Sequence, residues 1–132
     1  MEEDVEHEAV VSRWFAAFNA RDLDAILACM SSDVAFRPVG PRGAEGEYNG
    51  HAGARRWFAD SLETLGHETQ IDLAEVSSLA DGRVLAAGSL RVGKRAASAP
   101  FCGVHVVVDG NIVDLRHYFT DVQTMRRLGY IP

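Results

Sequence analysis

Apolar residues recur with two different periods along the chain, and the change falls near its middle. Val11, Trp14, Phe15 and Phe18 are spaced i, i+3, i+4, i+7, which predicts one buried face of an amphipathic helix. The acids Glu2, Glu3, Asp4 and Glu6 suit that helix's positive N-terminal end. Asn19-Ala20-Arg21-Asp22 breaks the pattern, and Asp22 reads as the N-cap of a second short helix carrying Leu23, Ile26, Leu27 and Met30. Asp33 to Arg37 alternates as a short strand that Pro38 stops. Residues 38–50, with Gly40, Gly43, Gly46 and Gly50, read as a loop or a loosely paired ribbon. Ala54, Trp57, Phe58, Leu62 and Leu65 then predict a third helix over about 51–65, with Gly66 as its stop.

From Thr69 the period becomes two. Ile71, Leu73, Val76 and Leu79 form one strand with a bulge, since two apolar faces exchange along it. Asp81-Gly82 signals a hairpin, and Val84, Ala86, Gly88, Leu90 and Val92 alternate on the return. Gly93 to Ala97 turn the chain into a strand over about 99–108. Asp109-Gly110 makes a second tight hairpin before a last strand, Ile112 to Phe119. Helices segregated from a run of antiparallel strands predict an α+β fold. Three N-terminal helices should pack in the concave face of a curved, mainly antiparallel sheet, forming a cone with an open mouth. Such mouths are common small-molecule sites.

The chain has 132 residues, which fits a single domain over 1–132. Nineteen acids against 13 bases give a net charge of −6, the wrong sign for a nucleic-acid footprint. No apolar run reaches the ~20 residues needed to cross a bilayer, so no membrane partner is expected. The acidic start is the reverse of a secretory signal, and Cys29 and Cys102 show no paired spacing. Two reduced thiols in a cytoplasmic protein are expected. All basic residues but Lys94 are arginine, which suggests a GC-rich bacterial source. His51, His67, His105 and His117 have no metal-ligand spacing, so no metal is expected. Arg55-Arg56 and Arg126-Arg127 read as solvated helix faces.

Several segments together resemble the nuclear transport factor 2-like superfamily, which includes SnoaL-like polyketide cyclases, ketosteroid isomerases and limonene epoxide hydrolases. Val10 to Asp24 looks like the family's opening helix and its N-x-x-D-L-D turn. Ser32 to Phe36 looks like its first strand, Tyr48 to Gly53 like the start of its third helix, and Asp109 to Phe119 like its last hairpin. The resemblance implies the cone fold, no cofactor, and a homodimer through the outer face of the sheet. It does not fix the activity, since this fold hosts enzymes, transport factors and inert dimers. In ketosteroid isomerases the working groups are a tyrosine hydroxyl, an aspartate base and a protonated acid. Those positions fall here on Trp14, on Arg37 or Pro38, and on Val104, with a supporting tyrosine position at Phe58. The familiar isomerase mechanism is therefore excluded. The Asp-Arg-Asp set of limonene epoxide hydrolases falls on Gly88, Leu90 and His117, so one titratable group is left.

A two-residue turn at Asp109-Gly110 pairs Val108 with Asn111. Continued regularly, that register puts His117 opposite Cys102, Leu115 opposite Val104 and His105 opposite Asp114. Cys102, Val104, His117 and Phe119 should then share the concave face, with His105, Asp114, Arg116 and Tyr118 outside. A shift of one residue would reverse a strand's faces. His117 is the candidate catalytic residue, because imidazole transfers protons near neutral pH and burial keeps it neutral. Trp14 and Phe36 are the resemblance's substrate-facing positions. Phe18, Phe58, Cys102, Val104 and Phe119 complete the expected ligand-binding set, with Tyr48 over the mouth and a Cys102–His117 thiol–imidazole pair weighed beside it. Three readings follow: proton transfer on an apolar cyclic or polyketide-like molecule, binding of such a molecule without chemistry, or a structural dimer whose cone is filled.

Overall fold

A computed structural model describes residues 2–38, 48–65, 69–91 and 98–119, with only the backbone described at 61–65, 98, 99 and 119. The expected turns at Gly66 and at Gly93–Ala97, most of the 38–50 loop, His67 and the Arg126-Arg127 pair lie outside the described residues. The elements run α1 (Glu2–Asn19), α2 (Leu23–Ala28), β1 (Met30–Arg37), α3 (Gly50–Leu65), β2 (Gln70–Ser78), β3 (Val84–Arg91), β4 (Ser98–Val108) and β5 (Asn111–Phe119). The five strands form one curved sheet in the order β1-β5-β4-β3-β2. β1 runs parallel to β5, and every other pairing is antiparallel. This is the α+β architecture that the period change predicts.

The end of α1 is set by local chemistry. Arg21 takes the left-handed conformation that usually falls to glycine (φ 59°). Its guanidinium is held by the Phe18 carbonyl at 2.9 Å and by the Thr69 carbonyl. Asp22 then caps α2, its side chain accepting from the Ala25 N–H at 3.1 Å. Asn19 ties helix to sheet: its amide donates to the Ile71 carbonyl and accepts from the Ile71 N–H, both at 2.8 Å. The side chain thus behaves as a strand partner for the edge strand β2 at Ile71.

The β1–β5 register breaks between Met30 and Ala35, and two single-residue bulges shape the antiparallel part of the sheet. Ala74 is skipped between Leu73 and Glu75 in the β2–β3 register, where the exchange of apolar faces predicts it. The second lies at Val113. Val107 pairs with Ile112, but the next pair is Val106 with Asp114. The Asp109-Gly110 turn itself is the expected two-residue turn, with both residues left-handed (φ 52° and 79°).

The Val113 bulge overturns the expected faces of β4. Beyond it His117 pairs with Gly103, Leu115 with His105, Arg116 with Val104 and Tyr118 with Cys102. The inner face of β4 is Phe101, Gly103, His105 and Val107, all buried. Cys102 and Val104, expected inside, lie on the outer face with Val106, Arg116 and Tyr118. His105, expected outside, is wholly buried. The cause is visible in β5: Ile112 and Leu115 are both fully buried, and a regular strand cannot point residues i and i+3 the same way.

Candidate functional site

The inner face meets α1 in a continuous aromatic layer. Helical spacing brings Trp14, Phe15 and Phe18 to one side of α1, and all three are buried. The Trp14 ring packs 5.9 Å from Phe18, 6.3 Å from Phe36 and 5.5 Å edge-on from His117, centre to centre. Phe15 stacks near-parallel to His117 at 5.7 Å and meets His105 edge-on at 5.6 Å. Phe101 closes another side of His117 at 5.8 Å. Trp57 on α3 packs 5.0 Å from Phe36 and 6.0 Å from Phe18, and Phe58 lies 6.5 Å from Phe18.

Two imidazoles therefore share one ring-walled chamber that its own side chains fill closely, with ring centres 5.7 Å apart. Their geometry depends on Gly103, which stands directly opposite His117. A Cβ at that position would lie 2.8 Å from His105 Cε1 and 2.8 Å from His117 Cδ2. Any side chain there would displace one ring or both, because packed aromatic neighbours leave them little room to retreat.

His105 donates from Nδ1 to the Val84 carbonyl at 3.1 Å across the β3–β4 pair. A carbonyl only accepts, so Nδ1 carries the proton and a neutral His105 has a bare lone pair on Nε2. Burial pushes the His105 pKa down to about 4, against a smaller opposing effect of the Val84 bond. His117 is held well below the usual imidazole range by burial first and by the His105 ring second. Both rings are neutral at pH 7. His105 Nε2, His117 Nε2 and the Trp14 and Trp57 indole Nε1–H groups are buried with no hydrogen-bond partner among the described residues. Most buried side-chain polar atoms of folded proteins have a partner, and four without one gather in this layer, with others such as Ser31 Oγ and Thr69 Oγ1 elsewhere.

The expected site residues divide accordingly. His117, Trp14, Phe18 and Phe36 meet in the layer, and Phe58 borders it through Phe18. The backbone of Phe119 pairs with Phe101, and its side chain lies outside the described residues. Cys102 pairs with Tyr118 on the outer face, which removes the thiol–imidazole pair. Tyr48 is buried rather than poised over a mouth, with its N–H donating to the Phe36 carbonyl at 2.8 Å. Arg55 and Arg56 are exposed, as the solvated-face reading expects, and Arg56 also places its guanidinium 4.8 Å from the Tyr48 ring centre. Phe15, Phe101 and His105 were missing from the expected set. Phe15 is legible from the helix period, whereas Phe101 and His105 depend on the Val113 bulge.

Outside the chamber, Arg83, Val104, Val106, Asp114, Arg116 and Tyr118 line a groove of about 250 Å³ on the opposite face of the sheet. Among the described residues no three metal-ligating side chains cluster, and no helix is long and apolar enough to cross a membrane. Cys29 and Cys102 are free thiols.

A helical layer laid on a curved sheet in the order β1-β5-β4-β3-β2 is the cone architecture, and the SnoaL-like domain profile matches residues 11–115. The chain belongs to the SnoaL-like domain family. SnoaL-like and related cone folds are also found among solved structures. Bal32a, from a soil-derived mobile gene cassette, superposes with a TM-score of 0.84 at 20% identity, covering 96% of this chain and 98% of its own. TerC, co-crystallized with polyporic acid, gives 0.80 at 25% identity over 93% and 97%. An LEH-like epoxide hydrolase of M. tuberculosis gives 0.70 at 26% identity over 96% and 91%. No curated protein matches the sequence.

Proposed function

We propose that this SnoaL-like domain holds an apolar, cyclic or polyketide-like small molecule in the aromatic layer, with His117 as the group that moves a proton. The observation that carries the reading is the set of four buried polar atoms, Trp14 Nε1, Trp57 Nε1, His105 Nε2 and His117 Nε2, that have no partner among the described residues of one ring-lined chamber. A core selected only for packing would use apolar rings there, because each unpartnered buried polar group costs about 1–3 kcal/mol. A ligand with a polar atom relieves that cost. A neutral imidazole can take a proton from a carbon beside a carbonyl, or from a hydroxyl during ring closure, without a cofactor. The epoxide-hydrolase activity named for the M. tuberculosis relative keeps water or hydroxyl activation within the same class of step.

Two measurements test the proposal. Native mass spectrometry of the purified protein should show a stoichiometric apolar ligand or its product. His117→Ala should then abolish turnover of that molecule while leaving it bound; unchanged turnover would sink the proton-transfer role.

The filled-cone reading rests on a specific observation of its own. His117 is only 6% exposed and is enclosed by Trp14, Phe15, Phe101 and His105. It predicts no ligand in native spectra. The reading of a second copy on the outer face is supported by the exposed Tyr118 and Val108 beside Val104, Val106 and the Asp114–Arg116 pair. Mixed aromatic and charged residues suit a two-fold interface. Sedimentation should give a dimer that Tyr118→Glu dissociates. Free thiols fit a cytoplasmic setting.

A further inference from the structure

His105 is the residue of the chamber whose protonation state the backbone fixes. The Val84 carbonyl takes its Nδ1–H, so the remaining nitrogen can only accept while the ring is neutral. That nitrogen is buried and has no partner among the described residues, and the same holds for Nε2 of the neighbouring His117. Gly103 holds the two imidazoles against one shared point, because only the absence of a side chain lets His105 Cε1 and His117 Cδ2 both come within 2.8 Å of it. The described rings packed on the pair, Trp14 and Phe15 from α1 and Phe101 from β4, carry no charge. A charged ligand group would meet no counter-ion among them and would lose its hydration on entry.

We propose that His105 is a ligand-recognising residue, its Nε2 accepting a hydrogen bond from a hydroxyl of an uncharged ligand beside His117. The inference rests on the reading of the chamber as a ligand site and adds a selection rule to it: a hydroxyl-bearing neutral molecule is preferred over its hydrocarbon and over its anion. An imidazole acceptor serving one hydroxyl should be worth about five- to tenfold in affinity.

The test uses three probes of one ring size, phenol, toluene and benzoate, on the full chain labelled with ¹⁵N at histidine. Phenol should move the His105 Nε2 resonance toward hydrogen-bonded values, and toluene should bind without doing so. Benzoate should bind more weakly than phenol. In His105→Phe, phenol should lose about five- to tenfold in affinity while toluene does not. Equal phenol affinity in the two proteins, benzoate binding as tight as phenol, or a His105 resonance that bound phenol leaves unmoved would overturn the assignment of His105 alone. If neither phenol nor toluene perturbs Trp14 or His117, the chamber is no ligand site and both readings fall. The wild-type resonance decides the case even if His105→Phe does not fold.

Discussion

Acidification should unfold this protein early, and the histidine pair sets the window. An imidazole with an ordinary pKa of 6.5 that is buried neutral binds its proton more readily in the unfolded chain. The unfolded state therefore takes up more protons than the native state between the two pKa values, and stability falls as pH drops through that interval. For His105 the interval runs from 6.5 down to about 4. At about 1.4 kcal/mol per pH unit, the loss from this residue alone reaches about 3 kcal/mol by pH 4. His117 shifts in the same direction and adds to the slope, while the pair resists double protonation because each charge disfavours the other. The carboxylates that the fold perturbs act lower down. Asp72 is held below its ordinary value of 3.8 by its bond with Arg91, and Asp81 by the Arg83 N–H, so their stabilisation is lost only below that range. Urea unfolding at pH 7.5, 6.5, 5.5 and 4.5 isolates the histidine contribution. Wild type should lose more than about 1.4 kcal/mol per unit below pH 6, because two groups contribute. His105→Phe should flatten the slope by about that amount, at some cost at pH 7 from the unpaired Val84 carbonyl. A stability that is level from pH 7 to 4.5, or the same slope in the variant, would refute the burial argument.

Other substitutions probe the elements that build the chamber. Gly103→Ala should lower stability by about 1–3 kcal/mol in urea titration, since its methyl collides with both imidazoles, and should shift both histidine ring resonances. Asn19→Ala removes two bonds to Ile71 and should cost about 1–3 kcal/mol, with faster amide exchange at the start of β2. Asp22→Ala should cost about 1 kcal/mol through loss of the α2 cap. Gly110→Ala meets no atom within 4 Å, so the cost of about 1 kcal/mol should come from its left-handed φ alone.

How far the sequence discloses this fold depends on whether a period is clean. The helix face of Trp14, Phe15 and Phe18 reads directly, as do the Asp22 cap, the Ala74 bulge and the left-handed Asp109-Gly110 turn, because each has a local chemical cause. β4 has no such clean signal. Its two faces are Phe101, Gly103, His105, Val107 and Cys102, Val104, Val106, Val108, and the second is the more uniformly apolar. Hydrophobicity alone therefore favours the wrong side. Burial is decided instead by Phe101, the largest of these residues, and by the need to bury Ile112 and Leu115 together.

That bulge is also what turns a single candidate base into a paired site. Without Val113 as an extra residue, His117 would face Cys102 across the strands, and His105 would lie outside. With it, the residue opposite His117 is the glycine that makes room for a second imidazole. The position of His117 is the same under both registers, since the bulge reverses β4 relative to β5 and leaves the faces of Leu115 and His117 together. One skipped residue thus exchanges a thiol for an imidazole beside the candidate base. It also moves Cys102 and Val104 to the outer face, where Val104 lines the groove, and makes that surface more apolar than the expected face of His105, Asp114, Arg116 and Tyr118. Chamber and groove are two sides of the same register change, so restoring a regular strand by deleting Val113 should disturb both together.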